Sequence, residues 1–115
     1  MFKITGKNGF HLVFANDISI SVIWGPGTYS DNSNERIKFE GDEIMTSKTA
    51  EIMIWDMKND RDILWWGADE VKGFLSVDDV TKIMAVCQDS SSLTEISKKL
   101  EALKFIETEL QNIKK

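Results

Sequence analysis

The fold is decided by Gly9-Phe10-His11-Leu12-Val13-Phe14-Ala15-Asn16-Asp17-Ile18-Ser19-Ile20-Ser21-Val22-Ile23-Trp24. Its apolar residues recur at every second position, first Phe10, Leu12 and Phe14, then Ile18, Ile20, Val22 and Trp24. Side chains alternate between the two faces of a strand, so this spacing predicts two strands with one covered side. His11 and Val13, then Ser19, Ser21 and Ile23, fall on the other side, and Ala15-Asn16-Asp17 turns the chain between them. Upstream, Phe2-Lys3-Ile4-Thr5 adds a strand. The Asn8-Gly9 pair predicts a type I′ hairpin turn, which needs two positive φ angles. Downstream, the alternation returns at Thr49–Asp56, with Ala50, Ile52 and Ile54 opposing Met53, Trp55 and Met57. A polar turn over Lys58–Asp62 then leads to a last expected strand, Ile63-Leu64-Trp65-Trp66, before Gly67. Ile37-Lys38-Phe39 reads as a further short strand.

The period then changes to that of a helix. Ser76 is an N-cap followed by acidic residues, and Val80, Ile83, Met84 and Cys87 share one face, predicting a helix over 76–88 packed on the sheet. Ser92-Leu93-Thr94-Glu95 has the spacing of a capping box. It opens a second helix over 92–115, with an apolar stripe of Leu93, Ile96, Leu100, Leu103, Ile106, Leu110 and Ile113. A stripe this long lies across the sheet, pairs with the preceding helix, or pairs with a second copy, and a homo-oligomer is expected from it. The expectation is one α+β domain over 1–115: an antiparallel β-meander of about five strands within 1–67, followed by two C-terminal helices.

Composition narrows the function classes. The chain has 115 residues, 19 acidic against 14 basic, for a net charge of −5. That balance disfavours wrapping a nucleic acid duplex or coating an anionic membrane, which need surplus Lys and Arg. One Cys and one His exclude an internal disulfide and the usual Cys/His zinc sites. No stretch approaches the eighteen or so apolar residues of a membrane span, and Met1–Lys7 lacks a signal-peptide core. No nucleophile motif, phosphate-loop motif or calcium loop is present, so no catalytic residue, metal or cofactor is expected. His11 reads as a structural strand residue, and Asn59-Asp60-Arg61-Asp62 as a hairpin turn.

The candidate site is the loop after Trp24. Gly25-Pro26-Gly27 joins two residues without a Cβ to one of fixed φ, so backbone N–H groups there can approach an anion. Thr28, Tyr29 and Asn32 add donors, and Arg36 supplies a cation suited to a phosphate. Trp24, Tyr29 and Trp66 offer flat faces for a nucleobase. The same residues also suit a plain solvated turn. Trp24 and Trp65 suit a place under the helices, and Trp55 and Trp66 a ligand wall or a subunit interface.

Three pieces carry a resemblance: Gly9-Phe10-His11-Leu12-Val13-Phe14-Ala15-Asn16, Ser21-Val22-Ile23-Trp24-Gly25-Pro26-Gly27-Thr28-Tyr29 and Ala50-Glu51-Ile52-Met53-Ile54-Trp55-Asp56. Together with Val71-Lys72-Gly73-Phe74-Leu75-Ser76 they resemble a group of short phage-encoded proteins, mostly without assigned function, over residues 1–88. The resemblance implies a phage product acting in the cytoplasm of the bacterial host. It also points to viral sponges that sequester cyclic or modified nucleotide signals of host immunity. The expected function is therefore a non-catalytic protein that sequesters a small, anionic, nucleotide-like ligand. The alternative is an interaction module that inhibits or adapts a host protein through an acidic, Trp-containing surface.

Overall fold

A computed structural model describes residues 1–4, 8–25, 28–31, 46–63, 65 and 69–106. Its elements in chain order are β1 (Phe2–Ile4), β2 (Gly9–Val13), β3 (Ile18–Ile23), β4 (Ala50–Asp56), β5 (Arg61–Asp62), β6 (Lys72–Leu75), α1 (Val77–Gln88) and α2 (Leu93–Ala102). The architecture is α+β: one antiparallel sheet of six strands followed by two helices.

The alternation read from the sequence sets the register. Phe10 faces Val22 and Leu12 faces Ile20, and Val22 and Ile20 in turn face Ile52 and Ile54. These residues form the face on which the helices pack. Ile18, Ile20, Val22, Ile52 and Ile54 join Val80, Ile83 and Cys87 of α1 and Leu93, Ile96 and Leu100 of α2 in one buried core.

The β2–β3 turn is held by Asn16. Its Oδ1 accepts from Ile18 N at 3.0 Å, while its Nδ2 donates to the carbonyls of Cys87 at 2.8 Å and Ser90 at 2.7 Å. A turn residue of the sheet thus caps the end of α1. The β4–β5 turn is organised by the buried Asp56, whose carboxylate accepts from Lys58 N, Asn59 N and Asn59 Nδ2.

Four expectations are corrected. Gly9 is not a positive-φ turn residue but the first residue of β2. A Cβ there would lie 2.4 Å from the Val22 carbonyl oxygen, so close strand approach is what requires glycine. The last strand is Lys72–Leu75, past the expected limit of 67, and of the expected strand Ile63–Trp66 the residues Leu64 and Trp66 lie outside the described ones. Beyond β3, the edge of β4 is shared, with Asp62 and Arg61 pairing Trp55 and Asp56, and Leu75 and Lys72 pairing Ala50 and Ile52. The Trp65 side chain instead drops into the core, while its backbone N–H donates to the Asp69 carbonyl at 2.8 Å.

The third correction concerns the length of α2, which ends at Ala102 instead of continuing from 92 to 115. Lys104 takes the left-handed conformation (φ 65°), Lys104 N–H donates to Glu101 O, and Phe105 N–H donates to Leu100 O. This is a Schellman stop with lysine where glycine is usual. Of the stripe residues, Leu93, Ile96, Leu100 and Ile106 are buried within the chain itself, while Leu103 is exposed. Leu110 and Ile113, like the expected strand Ile37–Phe39, lie outside the described residues.

The capping box of α2 is the fourth. Ser92 Oγ accepts from Glu95 N, but the Glu95 carboxylate returns to the N–H and hydroxyl of Ser91, one residue early. Those bonds and the neighbouring Lys99 hold the Glu95 carboxyl below its ordinary pKa. The box at α1, Ser76 with Asp79, is reciprocal. Among the described residues no helix is long and apolar enough to cross a membrane.

Candidate functional site

The segment leaving β3 begins with a bend at Gly25, whose φ of 101° is the one conformation here that demands glycine. Its N–H donates to Ser30 Oγ at 3.1 Å. The Thr28 hydroxyl donates to the Gly25 carbonyl at 2.7 Å and shares a 2.7 Å bond with Ser30 Oγ. Thr28 N–H also donates to the Gly25 carbonyl. Both hydroxyl residues are buried. The N–H groups of Tyr29 and Asp31 are also engaged, the first by the Glu51 carboxylate and the second by Thr49 Oγ1.

These bonds change the reading of the loop. The N–H groups of Gly25 and Thr28 close the turn on itself, and the Glu51 carboxylate already occupies the one at Tyr29. They are not left to cradle a phosphate. Pro26, Gly27, Asn32, Arg36 and Trp66 lie outside the described residues.

Two cavities flank this segment, with no described lining residue in common. Trp24 lines the first, an apolar space of about 580 Å³ between the sheet and α1. Tyr29 lines the second, about 400 Å³, together with Trp65, Asp69, Val71, Lys72, Gly73 and Phe74. The second unites an expected site residue with groups that sequence spacing did not select. Tyr29 is brought to β6 by a backbone bond, Phe74 N–H to Tyr29 O at 2.8 Å. Gly73 permits this approach, since a Cβ there would stand 2.2 Å from Tyr29 Cβ.

The walls of the second cavity are chemically mixed. Tyr29 and Phe74 are 60% and 59% exposed and offer ring faces, and Lys72 and Asp69 bring opposite charges. Phe74 holds φ at 55°, a costly conformation for an aromatic residue. Trp65 is 1% exposed, and its indole N–H has no hydrogen-bond partner. A buried donor without an acceptor costs about 1–3 kcal/mol. Solvent does not reach that nitrogen, so an acceptor gains it only if the wall shifts. The exposed rings of Tyr29 and Phe74 are the side chains with room to do so.

The other candidates are placed as follows. Trp55 is partly exposed on the sheet face away from the helices, and half-buried His11 pairs with Lys3 and Ser21 in the same sheet. Cys87 is fully buried, and burial pushes its thiol up to about 12. Among the described residues no three His, Cys, Asp or Glu side chains gather as a metal site would need. The chain matches no protein-family model, no curated protein and no solved structure, so the fold and these two cavities carry the functional argument.

Proposed function

We propose that this chain is a non-catalytic binding protein that sequesters a small, nucleotide-like anion in the cavity beside Tyr29. The observation that carries this is the convergence of Tyr29, Trp65, Phe74 and Lys72 on one space of about 400 Å³. Ligand pockets span about 300–1,000 Å³, and this one, near the lower end, suits one flat ring with its phosphate. The ring stacks on Tyr29 or Phe74, Lys72 meets the phosphate, and a carbonyl or ring nitrogen of the base supplies the acceptor that Trp65 lacks. Lys72 takes the part that the sequence reading gives to Arg36, and Phe74 the stacking part it gives to Trp66. The phage resemblance points to an immune signal of the host as the ligand.

Calorimetry with cyclic dinucleotides, cyclic trinucleotides and ADP-ribose derivatives tests the proposal. Binding of one of them is expected, weakened about 5- to 150-fold by Tyr29→Ala, the loss that one stacked base represents. Silence across the whole panel at high micromolar concentration would end the proposal.

A second reading, capture of a host protein, is favoured by the sheet edge. Phe2 and Ile4 of β1 are 88% and 80% exposed on a strand that, among the described residues, lies at the edge of the sheet. Such an edge is a template for strand addition. This reading predicts that a Phe2→Ser, Ile4→Ser double variant loses a host protein recovered by the native chain while small-molecule binding is unchanged.

A further inference from the structure

We propose that the outer edge of β1 takes an added strand from a partner protein, antiparallel to β1, whose sequence there reads apolar, acidic, apolar. This rests on the second reading above and gives the partner its chemistry. The register of β1 fixes which main-chain groups it offers. Met1 N donates to the Val13 carbonyl at 3.0 Å, and Val13 N–H returns to the Met1 carbonyl at 2.9 Å, so this pair exchanges both bonds. Bonded and non-bonded pairs alternate along an antiparallel ladder. Lys3 therefore turns its main-chain groups to His11 of β2, and the N–H and carbonyl groups of Phe2 and Ile4 point away from β2. Both residues are nearly wholly exposed, which puts those groups within reach of an incoming strand.

The side chains set what that strand carries. Phe2 opposes the half-buried Leu12 and Ile4 the half-buried Phe10, and these in turn oppose the buried Ile20 and Val22. Two apolar rows of the core face thus run out to the edge and end in two exposed apolar residues. A strand with apolar residues opposite Phe2 and Ile4 extends both rows and takes that surface out of water. Lys3 lies between them on the other face, exposed, beside His11. The partner residue opposite Lys3 is therefore acidic, since opposite charges stabilise a cross-strand pair and like charges do not. The same lysine disfavours a second copy of this chain as the occupant. The two-fold pairing that sets Phe2 against Ile4 also sets Lys3 against Lys3.

Nuclear magnetic resonance titration of the full chain with the peptide acetyl-Thr-Thr-Phe-Glu-Val-Thr-Thr-amide tests this, with its Phe, Glu and Val set to face Ile4, Lys3 and Phe2. The Ile4 amide and Phe2 ring signals should shift. Replacing the peptide's Glu by Lys should weaken binding about threefold or more, and Lys3→Glu should reverse that preference. Methylating the peptide's Val nitrogen, which bonds to β1, should abolish binding, whereas methylating its Glu nitrogen, which faces away, should not. The proposal is overturned by silence of those signals at millimolar peptide, by a tolerated methyl on the Val nitrogen, or by a charge preference that Lys3→Glu leaves unchanged. A native dimer that the Phe2→Ser, Ile4→Ser double variant dissolves would equally overturn it, by making a second copy the occupant. Each of these holds even where that variant loses a host protein, a loss that bears only on the reading beneath the proposal.

Discussion

Asn16→Ala should destabilise this protein far more than its place in a surface turn suggests. The side chain accepts from Ile18 N at 3.0 Å and donates to the carbonyls of Cys87 and Ser90 at 2.8 and 2.7 Å, so it fastens the β2–β3 turn to the end of α1. Net hydrogen-bond contributions of about 0.5–1.5 kcal/mol each put the combined loss at about 3 kcal/mol. For a domain of this size that lowers the melting temperature by roughly 10 °C. Urea unfolding followed by tryptophan fluorescence at pH 7 measures it, with an unchanged m-value showing that the native state is otherwise intact. Asn59→Ala is the comparison, because Asn59 is exposed and its amide bonds only the Asp56 carboxylate within its own hairpin, for a cost of about 1 kcal/mol. Asn16→Asp sharpens the test. It keeps the acceptor for Ile18 N but sets an anion against two carbonyl oxygens, and should be no better tolerated than alanine. An Asn16→Ala loss below 0.5 kcal/mol, or an Asp variant as stable as the native chain, would refute the clamp.

Three further outcomes follow from the geometry. Phe74→Gly relieves a positive φ at an exposed position, and should raise stability by about 0.5–1 kcal/mol while weakening any ligand held beside Tyr29, as read by melting and calorimetry on the same preparation. Lys104→Gly should stabilise by about 1 kcal/mol, because the residue after the α2 cap sits in the left-handed region that glycine enters freely; an unchanged urea midpoint would contradict this. The Cys87 thiol, raised from 9.0 to about 12 by burial, stays protonated in the folded chain after the unfolded chain has lost its proton. Its contribution is therefore fully present below pH 9 and declines above it by about 1.4 kcal/mol per pH unit. Cys87→Ala should be less stable than the native chain at pH 7 and should lose that difference above pH 9, which paired urea titrations across pH will detect.

Strand pairing was readable from the sequence because the alternating apolar residues of β3 and β4 share a buried face, and a slip of one residue would turn Ile18, Ile20 and Val22 out to solvent. The caps of the helices were readable for a local reason, a serine followed three residues later by an acid. What failed depended on contacts distant in sequence. Ile63-Leu64-Trp65-Trp66 has strand composition, but the free edge of β4 is divided between β5 and β6, and Trp65 is needed in the core. The end of α2 carries no glycine to announce it, and the apolar spacing continues in the sequence past the point where Lys104 reverses the chain.

The candidate site shows the same division, and it bears on how polar loops should be read. Gly25, Thr28 and Ser30 look like donors awaiting an anion because turn-forming and ligand-binding residues are the same residue types. In the fold their N–H groups and hydroxyls bond one another, and Glu51, from the neighbouring strand, takes the N–H of Tyr29. A loop rich in hydroxyls can therefore saturate itself, and its composition alone does not distinguish a closed turn from an open cradle. The distinguishing mark is a polar group that the chain leaves unpaired. Here that group is the indole N–H of Trp65, a residue whose sequence spacing suggests only core. Trp65 lines the same cavity as Tyr29, which lies against β6 because Gly73 has no Cβ and the Phe74 N–H bonds the Tyr29 carbonyl. Trp65 and Phe74 both line the cavity beside Tyr29, and a ligand of the proposed kind reaches the buried indole N–H only after a ring of that wall shifts.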